Sequence, residues 1–300
     1  MLKLSAVSLG IVLLIIGNLA ASLSDVAVKI LEGGISPFQY IFLRQLFSLV
    51  LLVPFWLRLP KQQKVLDNPV ITLARAVLVL IGSGCMMVAI THLPLATANA
   101  IFYAAPLLML PLSLWLLKEK PNMSKVLATM IGFAGVLIVL RPSQFHWAAI
   151  FALGTALTLA LFNVLVRLIP KEQPVITTLV WTTLFSLPIS GLLAWVVWEP
   201  IEMVQLGWVA LSASLILIYN AFAVMAYKQT HAYQIAIAEY TGLLFVTLFG
   251  IWWFAEIPDM LTILGIALIV LPILPVKKLL KASSLLASAK TSVGQSEKHH

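Results

Sequence analysis

Four ionisable residues stand within long apolar stretches of the sequence: Asp25, Arg44, Arg75 and Glu239. A charge at the middle of a membrane helix costs about 2.5–3.5 kcal/mol on insertion scales, so such residues face the interior of a helix bundle and serve in binding, proton transfer or gating. Their depths along these stretches predict two pairs, Asp25 with Arg44 near one face and Arg75 with Glu239 near the other. Each pair would act as a gate or as a static ion pair, and Arg75 could instead extend to the lipid headgroups.

Glu239 is the residue best suited to coupling chemistry. A carboxylate on an apolar wall can load and release a proton, which proton-coupled transport requires, or it can bind a cationic amine of a solute. Structural pairing with Arg75 is the alternative to both roles.

Uncharged polar residues in the same stretches are candidates for the wall of a binding cavity. Amides and phenols donate and accept hydrogen bonds without the cost of a charge, which suits an uncharged or zwitterionic solute. Their alternative role is to join helices through hydrogen bonds worth about 0.6 kcal/mol each. Together with Glu239, the candidates for substrate binding are Asn18, Ser22, Asn99, Tyr103, Asn163, Tyr219, Asn220 and Tyr240.

Two positions predict breaks in helices near the middle of the membrane. Pro106 lacks a backbone N–H and frees a carbonyl one turn earlier, near Phe102 and Tyr103. Gly242 stands at the matching place in the second half of the chain. A broken helix can place backbone polar groups at a transport site, although each break could also be a kink without a binding role.

The elements that must position these residues are membrane helices. Of the 300 residues, 61% are hydrophobic and 10% are charged, against about 45–50% and 25% in soluble domains, and the mean hydropathy is +1.04. A helical crossing needs about 20 apolar residues. The sequence predicts an all-α integral membrane protein with ten spans, approximately Ser5 to Val28, Phe38 to Leu57, Ile71 to Thr91, Leu95 to Leu117, Val126 to Leu140, Trp147 to Val166, Val175 to Val197, Val209 to Tyr227, Ile235 to Phe254, and Leu261 to Ile273.

The Lys and Arg residues of the loops and tail are distributed unevenly between the two faces of the membrane that the predicted spans define. With the N-terminus inside, fifteen are cytoplasmic and two, Lys29 and Arg141, are outside. Positive residues accumulate in short cytoplasmic loops, so both termini are predicted to be cytoplasmic. The second half then enters the membrane from the opposite face.

The chain repeats itself at about half its length. The octet "SDVAVKIL" at 24–31 recurs 138 residues later as "FNVLVRLI" at 162–169, with Asn163 in place of Asp25. Tyr103 and Glu119 recur 137 residues later as Tyr240 and Glu256. Two five-helix units of opposite orientation are typical of secondary transporters, whose central site opens to either side.

The repeat predicts three regions. Residues 1–142 would form the first five-helix repeat and residues 143–276 the second, inverted repeat. Residues 277–300 carry lysines and then polar residues, which is typical of a disordered cytoplasmic tail.

Signatures of other protein classes are absent from the sequence. There is no G-x-x-x-x-G-K-[ST] loop for ATP, and neither H-E-x-x-H nor G-x-S-x-G occurs. The five histidines and the single cysteine, Cys85, have no metal-ligand spacing. We therefore expect no catalytic residues, no metal site and no cofactor. The net charge of +8 lies in loops and the tail, where it indicates topology rather than nucleic-acid binding.

Residues 93–142, "LPLATANAIFYAAPLLMLPLSLWLLKEKPNMSKVLATMIGFAGVLIVLRP", resemble the drug/metabolite transporter superfamily of the EamA type. Pro106, Glu119, Gly132 and Gly135 carry the resemblance. The second half departs from the pattern, since Gly242 and Leu243 stand where the proline would be. The resemblance implies ten helices, both ends inside, and a central cavity lined by the first, third, fourth, sixth, eighth and ninth helices. Members move amino acids, purine-type metabolites, riboflavin, S-adenosylmethionine, choline, nucleotide sugars and phosphorylated sugars.

The sequence therefore predicts a secondary transporter of the bacterial inner membrane. It would move a small polar or amphiphilic metabolite, amino-acid-like, purine-like or vitamin-like, by alternating access. The alternative is a riboflavin-type or S-adenosylmethionine-type importer that works by facilitated diffusion or exchange, and a more remote one is a membrane enzyme or scaffold. Its partners would be that solute and membrane lipid. Protons as coupling ion, the direction of transport, and a monomeric or homodimeric state are left open.

Overall fold

The computed structural model describes residues 6–31, 34–117, 123–140, 146–170, 172–229, 238 and 241–270. Every regular element in these ranges is helical, so the predicted all-α fold class is confirmed. The helices are α1 (Ala6–Ile30), α2 (Pro37–Leu57), α3 (Pro69–His92), α4 (Leu95–Phe102), α5 (Ala105–Leu117), α6 (Met123–Leu140), α7 (Ala148–Leu165), α8 (Val175–Val196), α9 (Met203–Gln229), α10 (Thr241–Phe254) and α11 (Met260–Val270), with 3-10 turns at Lys61–Lys64 and Val166–Leu168.

Within the described ranges, seven helical stretches are long and apolar enough to cross a membrane. They are Ser8–Ile30, Pro37–Leu57, Pro69–His92, Leu95–Leu116, Ala148–Leu168, Val175–Val196 and Met203–Tyr227; Met130–Val139 and Thr241–Phe254 are shorter apolar helices. The start of the predicted ninth span, the end of the tenth and the tail at 277–300 lie outside the described residues. The boundary between the repeats and the disorder of the tail stay predictions.

The predicted fourth span is two helices rather than one. The helix stops after Phe102 and restarts at Ala105, with a turn at Tyr103 and Ala104 between them. The interruption falls one turn before Pro106, which has no N–H to donate to the carbonyl of Phe102.

The surface of the bundle is apolar and its interior holds the polar residues. Leu192 and Trp195 are 64% and 78% exposed, whereas Asn18, Arg44 and Arg75 are buried. This is the reverse of a soluble protein, and it follows from a solvent that offers no hydrogen bonds to backbone or side chains.

Equivalent helices of the two halves run in opposite directions. At the start of α2, Gln39 Nε2 donates a hydrogen bond of 2.8 Å to the carbonyl of Glu199, which follows α8. Beyond the end of α2, the carbonyl of Lys64 accepts a hydrogen bond of 2.9 Å from Trp181 Nε1, near the start of α8. Because α2 and α8 are each the second helix of their half, the repeats are inverted, as predicted.

The helix pairs in contact across the interface are symmetric: each pair has a counterpart made of the equivalent helices of the other half. The first helix α1 packs on α9, and its counterpart α7 packs on α3; α2 packs on α8, and α6 on α11. The bundle therefore has two ends. The end that holds Glu256, the start of α4 and the end of α1 is called the Glu256 end, and the end that holds Gln173 and the start of α8 is called the Gln173 end.

Small residues allow a close approach of helices from opposite halves. At Gly265 in α11, a Cβ atom would lie 2.8 Å from the carbonyl oxygen of Gly135 in α6 and would overlap a methyl group of Val139. Such contacts replace the hydrophobic effect as the source of helix association in lipid.

We expect Gly265→Ala to destabilise the protein by about 1–3 kcal/mol, because the added methyl group meets backbone that cannot move independently. The measurement is the melting temperature of the detergent-solubilised protein. Gly207→Ala in α9 is the matched control, since nothing lies within 4 Å of its Cβ position. Equal melting temperatures for the two variants would contradict the close packing of α6 and α11.

Candidate functional site

A cavity of about 170 Å³ lies between the two halves. One water needs about 10–15 Å³ of such space, so the cavity can hold a small organic molecule or a cluster of waters. Its wall comes from α1, α2, α3, α4, α5, α7 and α9 and consists of Asn18, Ala21, Asp25, Arg44, Leu78, Val79, Gly82, Ser83, Met86, Phe102, Tyr103, Ala105, Thr155, Thr158, Leu159, Phe162, Asn163, Ile216, Tyr219, Asn220 and Tyr227.

Two opposite charges, Asp25 and Arg44, are part of this wall. Arg44 Nη2 donates a hydrogen bond to Ser83 Oγ, and the guanidinium carbon lies 5.6 Å from the centroid of the Tyr40 ring. The Asp25 carboxyl interacts with the side chain of Asn99 and is influenced by the charge of Arg44. Among the described residues no ion pair within 4.0 Å joins the two charges. Each charge therefore has neutral hydrogen-bonding neighbours and lies within electrostatic range of the other. Their pairing as a gate stays a prediction.

Five of the predicted polar residues line the cavity: Asn18, Tyr103, Asn163, Tyr219 and Asn220. Asn18 Nδ2 also donates a hydrogen bond of 3.0 Å to the carbonyl of Ala238. The first half thus supplies an amide and a phenol, and the second half supplies two amides and a phenol.

Ser22 and Asn99 are buried beside the cavity rather than on its wall. Ser22 Oγ donates a hydrogen bond of 3.1 Å to the carbonyl of Gly242, which joins α1 to α10. Asn99 Nδ2 donates one of 3.3 Å to the carbonyl of Leu95, and Asn99 also reaches Asp25. In this structure both residues therefore make hydrogen bonds within the protein next to the cavity and do not line it.

Glu239 and Tyr240 lie outside the described residues, so their predicted roles and the pairing of Glu239 with Arg75 stay predictions. Arg75 itself is fully buried on α3. It is not part of the cavity wall; its guanidinium carbon lies 3.9 Å from the ring centroid of Phe162, which is part of that wall.

Both predicted break positions lie near Tyr103. This residue occupies the turn between α4 and α5 that precedes Pro106, and it lines the cavity. Gly242, next to the start of α10, accommodates the Tyr103 hydroxyl, which a Cβ atom there would overlap. A glycine is thus required at 242 for the approach of a wall residue.

Sequence reasoning did not single out several residues of the wall: Ser83, Phe102, Thr155, Phe162 and Tyr227. The spacing of these residues along their helices was the sequence signal that could have identified them. On α3, residues 79, 82, 83 and 86 all line the cavity, and on α7 residues 155, 158, 159, 162 and 163 do so; each set forms one face of a helix. In the described ranges, no three His, Cys, Asp or Glu residues come together as metal ligands.

The Glu256 end is closed by contacts between the halves. Lys29 of α1 forms an ion pair with Glu256, which follows α10. Lys29 Nζ also donates a hydrogen bond of 3.1 Å to the carbonyl of Leu93, and Glu256 accepts one of 2.7 Å from the N–H of Leu95. The sequence does not predict this ion pair, whose two residues lie 227 positions apart in the chain.

A second layer of hydrogen bonds joins the halves next to the cavity residue Asp25. The hydroxyls of Ser24 in α1 and Ser212 in α9 are 2.7 Å apart, and the Tyr40 hydroxyl lies 2.9 Å from that of Ser212. These neutral groups are buried and hydrogen-bonded to one another.

A cavity between two inverted five-helix repeats is the expected site of a solute carrier, and comparison with known proteins identifies the family. The model of the EamA-like transporter family matches residues 8–141 and 146–276, one match in each half. The chain belongs to this family. It is therefore a multi-pass membrane transporter of small molecules.

Several relatives of this EamA-like transporter have names that describe transport. An S-adenosylmethionine uptake transporter of Rickettsia prowazekii is 25% identical over 88% of this chain and 90% of its own length. A pseudopaline exporter of Pseudomonas aeruginosa is 23% identical over 87% and 93%. A solved crystal structure with 18% sequence identity matches 90% of this chain and 95% of its own with a TM-score of 0.61, which supports the fold.

Gly242→Ala is expected to destabilise the transporter by about 1–3 kcal/mol, because the new methyl group displaces the Tyr103 side chain from the cavity wall. The double variant with Tyr103→Phe should recover part of the loss, since the overlapping hydroxyl is removed. Melting temperatures in detergent test this. Gly17→Ala is the control, because its Cβ would make an ordinary contact of 3.4 Å with Tyr219; a Gly242→Ala protein as stable as this control would refute the packing.

Proposed function

We propose that this transporter carries a zwitterionic metabolite with an amino-acid head group through the cavity between its halves, by alternating access. The observation that supports this is the pair of buried charges on one wall, Asp25 and Arg44, which make no direct ion pair in the described part of the chain. A carboxylate suits the ammonium of an amino acid and a guanidinium suits its carboxylate. Because buried charges are costly unless they are well paired, a zwitterionic ligand that offers each of them an opposite charge would be favoured.

The remainder of the wall suits a polar ring attached to that head group. Phe102, Phe162, Tyr103 and Tyr219 offer aromatic faces, and the amides of Asn18, Asn163 and Asn220 can pair with ring nitrogens or hydroxyls. S-adenosylmethionine combines an amino-acid head, a positive sulfonium and an adenine. Because several relatives are named as its uptake transporters, we take it as the first substrate to test, ahead of other amino-acid conjugates.

The charges at the two ends support an orientation in the bacterial inner membrane. Four basic residues, Arg58, Lys61, Lys64 and Arg167, lie at the Gln173 end beside Asp67 and Glu172. At the Glu256 end Lys29 lies with Glu199, Glu202, Glu256 and Asp259. By the positive-inside rule, the Gln173 end is cytoplasmic. The start of α1 and the end of α11 are then on the cytoplasmic side, since α1 ends and α11 begins at the Glu256 end.

Alternating access requires the contacts at one end to break while those at the other end form. The ion pair of Lys29 with Glu256 joins the first half to the second, so it must separate when the outer end opens. We propose it as the outer gate. Proton coupling through Glu239 stays a separate prediction.

We expect proteoliposomes of the wild-type transporter to take up labelled S-adenosylmethionine, and Asp25→Asn and Arg44→Gln each to lower uptake about tenfold or more, as the loss of a charged hydrogen bond implies. Asp67→Asn, at an exposed aspartate, is the control. Counterflow with unlabelled solute separates exchange from net uptake. If the wild type carries no amino-acid conjugate, or if the control is as impaired as Asp25→Asn, the substrate class is wrong.

If the Lys29–Glu256 ion pair is the outer gate, its removal should change the rate at which a thiol in the cavity reacts with an external reagent. With Cys85 replaced by alanine, Ala21→Cys places a thiol on the wall. A membrane-impermeant maleimide added outside cells should label it several-fold faster when Lys29→Met removes the ion pair, because the outer end opens more often. Lys64→Met, at the other end, should leave the rate unchanged. Equal rates in the Lys29 variant and its parent would exclude the ion pair as a gate.

A further inference from the structure

Arg75 is a fully buried cation whose partner is missing from the described part of the chain. It is 0% exposed, and its Nε and Nη1 atoms have no hydrogen-bond partner. None of the described acidic residues forms an ion pair with it. An unpaired buried charge is costly, so a guanidinium at this position favours a group that binds it during function.

The surroundings of Arg75 place its guanidinium next to the cavity. The guanidinium carbon lies 3.9 Å from the centroid of the Phe162 ring, which is a cation–π contact. Phe162 lines the cavity, as do Leu78 and Val79, one helical turn along α3 from Arg75. Arg75 therefore lies just beyond the cavity wall, towards the Gln173 end.

The repeat places a different pair of residues at the equivalent contact of the opposite end. The 138-residue shift relates Ser24 to Phe162, and the 137-residue shift relates Ser212 to Arg75. Ser24 contacts Ser212 at the Glu256 end, and Phe162 contacts Arg75 at the other end. At the Glu256 end this contact joins two small hydroxyl side chains, which are hydrogen-bonded. At the Gln173 end the equivalent contact contains Arg75, whose Nε and Nη1 have no hydrogen-bond partner.

We propose that Arg75 binds the carboxylate of the transported solute as it passes between the cavity and the Gln173 end. This anion subsite is separate from Arg44 and rests on the proposed function, because it takes the solute to carry a carboxylate. Phe162 is its positioning residue, since its ring orients the guanidinium. The solute would interact with Arg44 within the cavity and with Arg75 nearer the cytoplasmic side.

The first test needs no substrate. Arg75→Met replaces an unpaired cation by an apolar side chain of similar length, so the melting temperature of the ligand-free protein should stay the same or rise. Arg58→Met removes an exposed arginine at the same end and is the control for the lost charge. A melting temperature several degrees below that of the control would mean that Arg75 has a permanent partner, such as Glu239, and would overturn the proposal.

The second test compares transport of S-adenosylmethionine with transport of its decarboxylated analogue. Arg75→Met should lower the rate for the first about tenfold more than the rate for the second, because only the first carries the group that Arg75 binds. Arg75→Lys should retain part of the difference. Equal loss for both solutes, or no loss for either, would overturn the subsite.

A third test examines the subsite without relying on the proposed substrate. If the wild type carries neither solute, benzoate and its neutral isostere benzamide serve as probes in thermal-shift measurements. Benzoate should raise the melting temperature of the wild type more than benzamide does, and Arg75→Met should reduce that difference. An undiminished difference in Arg75→Met, or no difference in the wild type, would refute an anion site at Arg75.

Discussion

A charged or polar side chain within a membrane must be covered by protein or by water, because lipid offers it no hydrogen bonds. In this transporter the cover is provided by the interface between two inverted halves. Asp25, Arg44 and Arg75 are buried there, while residues such as Leu192 and Trp195 face outward. The same interface contains the cavity, so the need to shield polar groups and the need to bind a solute are met in one place.

The two ends of the interface are related by the repeat but are not chemically alike. Lys29 and its equivalent Arg167 are both basic, whereas Asp25 has become Asn163 and Ser212 corresponds to Arg75. Among the described residues, an ion pair and a group of hydroxyls join the halves at the Glu256 end. In the proposed mechanism a symmetric backbone would let the halves move against one another, and the unequal side chains would give the two ends different affinities for the solute and different stabilities when closed.

The named relatives include an uptake transporter and an exporter at similar sequence identity. Import and export are therefore compatible with one fold, and the direction of transport depends on gradients and on local residues rather than on the architecture. The charge distribution on the cavity wall is the part of the molecule that bears on the solute. Asp25 and Arg44 would recognise a head group, and the aromatic side chains would accept the attached ring.

The sequence by itself determined the all-helical fold, the approximate helices and the inverted repeat, because a membrane allows few structures and the repeated octet records the duplication. It also indicated Asn18, Tyr103, Asn163, Tyr219 and Asn220, which line the cavity. Only the tertiary structure decided which side chains meet. Depth along a helix can be estimated from sequence, but rotation of each helix about its own axis cannot, since it depends on packing against neighbours. For that reason Lys29 with Glu256, Arg44 with Ser83 and Arg75 with Phe162 were not foreseen.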